Sequence, residues 1–239
     1  MNVPPVSASG TRVTVIPLRA ARRAFTLLEV LVVVGLIALL AGGLGLALGD
    51  TGGNSLATAQ TTLATMVGSA RAQAAVNQTE TILAIYGTRP PGGDAQKYLR
   101  LLQVFRNNRP GVTPPVWVPA GSPVSLPRGV FVVPTSTAGL LAAGVIWPSN
   151  PPLVSTLRGP IGLAQPAGTP FGTGATAFVV EFSPDGTIAQ VGDLPHARLV
   201  VGTAVLANNL PQFNNNAAVR GIILRPTGAV TFVNQAIGF

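Results

Sequence analysis

The chain has 239 residues, enough for one ordinary domain plus a separate segment and too few for two large domains. Apolar residues make up 47% and charged residues only 9%, a balance that excludes global disorder; the absence of cysteine excludes disulfides, cysteine-ligated zinc and thiol catalysis. The formal net charge of +8 is front-loaded, because Arg12, Arg19, Arg22 and Arg23 precede residue 25 and no acid accompanies them. No Lys/Arg stripe with interleaved aromatics follows, so the excess reads as a membrane-topology signal on a mildly basic body, with no nucleic-acid partner called.

The first predicted element begins just after those arginines. From Val30 to Leu48 the sequence VLVVVGLIALLAGGLGLAL runs 19 residues without a charge. As a helix it would reach about 28 Å, close to a bilayer's hydrocarbon thickness. It has no polar residue at helical spacing, so it is no amphipathic core helix. Arginines before it and Asp50, Thr51 and Asn54 after it place the leader in the cytoplasm and the body outside, by the positive-inside rule. A cleaved secretory signal is the first competitor, but its apolar stretch would be 7–15 residues and would carry no acid. Here Glu29 opens the span, and a carboxylate in a membrane segment costs about 2.5–3.5 kcal/mol near the bilayer centre and less toward the edge. It calls for a partner.

The run from Arg23 to Ala38, Arg-Ala-Phe-Thr-Leu-Leu-Glu followed by an uncharged stretch, resembles the N-terminal signature of type IV pilins and type II secretion pseudopilins. The resemblance implies that a prepilin peptidase cuts between Ala24 and Phe25 on the cytoplasmic side. It then methylates the new amine of Phe25, and the hydrophobic segment is retained. It also implies that Glu29, fifth residue of the mature chain, pairs with the N-terminal amine of a neighbouring subunit during assembly. A buried charge is tolerable only with an opposite charge close by. The competing reading of Glu29 is a headgroup-level pairing with Arg22 or Arg23. One departure from the family pattern is Ala24, where glycine is usual; alanine is the next smallest residue, so processing at a slower or normal rate is expected.

Glycines and alanines from Gly35 to Gly53 permit close helix packing and weaken the helix. A bend or local melting is expected between Gly42 and Gly53, with simple close packing as the alternative. Residues 55–78 read as a continuing amphipathic helix, because Leu56, Leu63, Met66, Val67, Ala70 and Ala74 fall near a 3.6-residue spacing. Thr79 to Tyr86 switches to strand-forming residues. Further strands are expected at Tyr98–Phe105 (or a short helix), Val116–Val118, Gly129–Val133, Ala177–Phe182, Arg198–Val201, Val219–Leu224 and Ala229–Val233. Phe182–Ile188 echoes Leu224–Val230: each has an apolar strand end, a Pro-x-Gly turn and an apolar strand start, and both read as β-hairpins. The Thr135–Thr176 stretch, rich in Pro, Gly, Ser and Thr, reads as surface loops too long for a plain connector. The junction at Arg71 and Asn77, with the two Pro-x-Gly hairpins, is similar to the H-type minor pseudopilins.

Catalytic constellations are missing from the sequence. His196 is the one histidine, so a two-histidine zinc motif is excluded, and no serine sits in a nucleophile-elbow pattern to complete a triad with His196 and Asp185 or Asp193. Gly172-Thr173-Gly174 lacks the Lys-Ser/Thr of a phosphate loop, and Glu181, Asp185 and Asp193 are too scattered for a calcium site. No enzyme activity, cofactor or metal is called.

The expected protein is α+β and pilin-like: a long N-terminal α-helix, half transmembrane and half amphipathic, packed on an antiparallel β-sheet head. Its parts are a leader (1–24), a transmembrane helix (25–49), an amphipathic helix (50–78) and a β-rich periplasmic head (79–239). The resemblance implies a minor, H-like subunit of a type II secretion pseudopilus, anchored in the inner membrane and its lipid. Its partners would be other pilin-like subunits, the prepilin peptidase and an inner-membrane assembly platform. The alternatives are a type IV minor pilin in pilus assembly, adhesion or DNA uptake, and a secreted enzyme with a long signal peptide.

Overall fold

The computed structural model describes residues 27, 29–37, 51–149, 152–163, 165–189 and 196–239. The chain divides into two units, Met1–Gly49 and Asp50–Phe239. In the first, residues 29–37 are helical.

The second unit opens with helix α1 (Thr51–Asn77). Leu56, Ala59, Gln60, Leu63, Met66, Val67, Ala70 and Ala74 are buried, a stripe at spacings of three and four that a 3.6-residue helix places on one face. Every residue expected to form this stripe does so. Gly52 and Gly53 are helical, so the predicted bend does not extend into them; residues 42–50 of that expectation lie outside the described residues. The helix stops at a left-handed residue, Gln78 (φ 51°), and the Thr79 N–H donates to the Ala74 carbonyl at 3.3 Å. That six-to-one closure normally uses glycine; here the Gln78 amide adds a bond to the Ala75 carbonyl at 2.6 Å.

Among the described residues, eleven strands follow in two antiparallel sheets. One has the order β3 (Trp117–Pro119), β2 (Leu101–Asn107), β1 (Thr81–Tyr86), β7 (Thr176–Phe182), β6 (Arg158–Gly162), with β4 (Val124–Ser125) also on β2. The other has the order β11 (Val230–Val233), β10 (Val219–Leu224), β8 (Ala197–Ala207), β5 (Val130–Val132), with β9 (Leu210–Phe213) also on β8. Leu99 ties them together: its N–H donates to the Tyr86 carbonyl at 2.9 Å and its carbonyl accepts from Val132 at 2.8 Å. It does so at φ 57°, where a leucine is strained.

Period-two alternation sorts the strand residues into two cores. Leu83, Ile85, Val104, Val180, Leu199, Val201 and Ile222 pack with the buried face of α1. Their neighbours Ile82, Ala84, Phe105, Val179 and Val200 join Leu140, Leu153, Leu163 and Phe171 in the second core. The last four come from the stretch read as surface loops. That expectation is corrected in part: the segment covers a sheet face, includes β6, and sends Phe171 edge-on to Phe105 (5.3 Å) and Tyr86 (5.5 Å). Tyr98–Phe105 resolves into a turn followed by β2 from Leu101; β8 runs on to Ala207, six residues past its expected end at Val201, and the other predicted strands appear within two residues of their expected bounds.

Candidate processing and assembly segment

Among the described residues of the N-terminal segment, Leu27 and residues 29–37 are helical, and Glu29 is exposed. The apolar residues around it are exposed on every side of the helix: Leu27, Val30, Leu31, Val32, Val33, Val34, Leu36 and Ile37 range from 51% to 83%. A helix that is apolar all round belongs inside a membrane or a packed assembly. No described helix is long and apolar enough to cross a membrane. Ala24 and Phe25, the expected processing pair, lie outside the described residues.

The head offers α1 as its link to this segment in the chain. Gln60 is the polar anchor of that helix. Nearly sealed from solvent at 3% exposure, its amide donates to the Gly221 carbonyl at 2.7 Å and the Val233 carbonyl at 2.9 Å, and so ties the helix to β10 and β11. On the other side, Thr58, Thr61, Thr62 and Thr65 each return their hydroxyl to the carbonyl four residues back, at 2.8–3.0 Å. Their donors are consumed within the helix. This face can therefore accept a neighbour through methyl contacts without leaving hydroxyl donors unmet.

Near the helix end the two echoed turns meet. Both close identically: Gly186 N–H to Ser183 O and Gly228 N–H to Arg225 O at 2.8 Å, then Ser183 N–H to Thr187 O and Arg225 N–H to Ala229 O at 2.8 and 2.9 Å. Both glycines are left-handed, at φ 79° and 78°. The Ile188 N–H donates to the Pro226 carbonyl at 3.1 Å, joining the turns. Arg71 lies over both glycines: a Cβ on Gly228 would stand 2.8 Å from its Cδ, and one on Gly186 would stand 3.2 Å from its Cγ. The repeat thus clamps a helix residue between two sheets. Asp185, at the exposed tip of the first turn, accepts from the Thr187 hydroxyl (2.7 Å) and N–H (2.9 Å). These bonds hold its pKa below the usual carboxylate value.

A cleft of about 340 Å³ nearby is bordered by Glu80, Asn107, Trp117, Arg158 and Glu181. Arg158 Nη1 bridges both Glu181 oxygens at 2.6 and 2.7 Å, while Glu80 accepts from the Asn107 amide at 3.1 Å. Arg158 and Glu181 thus answer each other's charge at this cleft. His196 is half-buried just before β8, while Asp193 lies outside the described residues. Gln60, Arg100 and Leu99 are the residues that the sequence reading missed. A polar residue at the buried spacing of α1 was the available signal for the first; a left-handed leucine leaves no signal.

Residues 19–45 match the family model described as the prokaryotic N-terminal methylation motif. The chain is type IV pilin-like at its N-terminus. The motif implies processing by a prepilin peptidase, assembly with other pilin subunits and a membrane anchor, and it belongs to structural rather than enzymatic proteins. No curated protein and no solved structure matches the chain.

Proposed function

We propose that the protein is an H-like minor subunit of a type II secretion pseudopilus. In this reading residues 1–24 form the cytoplasmic leader, 25–49 the inner-membrane helix, 50–78 the amphipathic helix and 79–239 the periplasmic head. Prepilin peptidase cuts between Ala24 and Phe25 and methylates Phe25. Glu29 then accepts the N-terminal amine of the adjoining subunit, fixing the stagger as subunits stack by a rotation that does not close. Neither step asks the chain for catalysis.

The observation that carries this reading is the uncharged, solvent-exposed helical stretch that follows Glu29 inside the methylation motif. A second supports the H-type assignment: Arg71 near the helix end is held by both Pro-x-Gly turns, the features on which that resemblance rests. The type IV minor pilin reading shares the anchor and assembly chemistry and differs in the machine served.

Deletion of the gene in its own host separates them. Loss of protein secretion with surface pili intact supports the pseudopilus. Loss of pili with secretion intact transfers the subunit to a type IV pilus. If both survive, neither machine depends on it and the reading fails.

A further inference from the structure

Far from the processing motif in sequence, the head gathers two arginines that, among the described residues, pair with no carboxylate. Arg100 immediately precedes β2 and is 7% exposed. Its Nη2 donates to the Leu126 carbonyl at 2.8 Å, but Nη1 makes only long bonds, 3.4 and 3.3 Å, to the Gln96 carbonyl and side-chain oxygen. Its buried Nε–H has no acceptor. Burial and the neighbouring Arg128 guanidinium both lower its pKa. Arg128 rides on a turn closed by Val130 N–H to Pro127 O at 3.2 Å, with Gly129 at φ 77°. Among the described residues neither arginine has an ion pair. A buried cation normally has a counter-charge; here the guanidinium lies over the Phe131 ring, 5.5 Å from its centroid, and the charged neighbour that acts on it is another cation, Arg128.

Both arginines border one cavity of about 580 Å³, whose other walls include Gln96, Phe131, Val205 and Leu206. Val205 is an exposed apolar side chain on β8. One wall is thus cationic and another is apolar. Guanidinium groups match the planar geometry of a carboxylate. A fully hydrated anion such as phosphate would use the arginines and waste the apolar wall. We propose that this cavity binds a carboxylate carried on an apolar group, with Arg128 and Arg100 holding the carboxylate and Val205 and Leu206 covering the apolar body. A free medium-chain acid and a peptide ending in an aliphatic residue share that chemistry.

The test is a titration of the isotope-labelled full chain in lipid nanodiscs, followed through the amides of Gly129 and Val205 and the arginine side chains. The probes are hexanoate, acetyl-Ala-Leu with a free carboxylate, the same peptide as its amide, and inorganic phosphate. Saturable shifts at these positions with hexanoate or the free-acid peptide are expected, at least tenfold weaker with the amide. Arg128→Gln, an exposed change that should leave the fold intact, should weaken binding at least tenfold. Tighter binding of hexanoate assigns a free acid, and tighter binding of the peptide assigns a polypeptide terminus. The proposal is overturned if no probe saturates, if phosphate binds as tightly as either carboxylate, or if Arg128→Gln binds unchanged.

Discussion

The two helical stretches of this chain are apolar in opposite ways. In α1 the apolar residues recur every three or four positions and are buried against two sheets, leaving threonines outside. In residues 29–37 they occupy every position after Glu29 except Gly35 and stay exposed throughout. Amphipathicity directs the first into the protein's own core. The second lacks a polar face to present to water, so its burial must come from lipid or from other chains. The same secondary structure therefore serves folding in one stretch and, in the proposed filament, assembly in the other.

Substitutions can break that contrast. The largest effect is expected at Glu29. In the proposed assembly, Glu29→Val should reduce incorporation into filaments at least tenfold, read from sheared or cross-linked fractions, with head stability unchanged. Near-normal incorporation would remove Glu29 from the assembly step.

Next, Leu63→Ala should lower the unfolding free energy of the head by about 2–5 kcal/mol, since a fully buried side chain leaves a cavity. Val33→Ala, on the exposed helix, should change it by less than about 0.5 kcal/mol. Denaturant unfolding of both variants measures the difference. Equal effects would mean that the N-terminal stretch stabilises the head.

Gln60→Leu keeps the volume but strips the donor from two carbonyls, and should cost about 1–3 kcal/mol by the same assay. Gly228→Ala should cost about 1 kcal/mol for the left-handed backbone alone, plus whatever Arg71 loses by moving aside. Pairing it with Arg71→Ala should recover only the second part.

The smallest effect concerns acid. The folded pKa of Asp185 is depressed, so its contribution is present above the unfolded value of 3.8 and is lost as pH falls through the lower folded value. Thr187→Val should reduce that acid sensitivity, visible as a smaller loss of turn-amide protection on going from pH 5 to pH 2. An unchanged loss would mean that the Thr187 hydroxyl bond does not set the Asp185 pKa.

Much of the head was legible because burial writes itself as a period. Leu56 to Ala74 declared a helix face, and runs such as Thr81–Tyr86 and Val219–Leu224 declared strands. The misses have physical causes. β6 contains Gly159-Pro160 and β9 contains Pro211, and proline reads as a breaker; both are strands with a single partner, where a missing N–H is tolerated. The long Pro/Gly segment looked like surface because its buried anchors, Leu140, Leu153, Leu163 and Phe171, are too far apart to form a period. Of the candidate site, the methylation motif was readable from Arg23 to Ala38, since its chemistry lies in consecutive residues. The Arg71 clamp needed three distant segments brought together, and only the echo between two of them was visible in advance.

The mass and N-terminal sequence of the chain, expressed with and without a prepilin peptidase, decide whether it is processed as a pilin. An N-methylated Phe25 terminus is expected only when the peptidase is present, with the hydrophobic segment retained. A cut after residue 41 or beyond, releasing the head without its apolar helix, would contradict it.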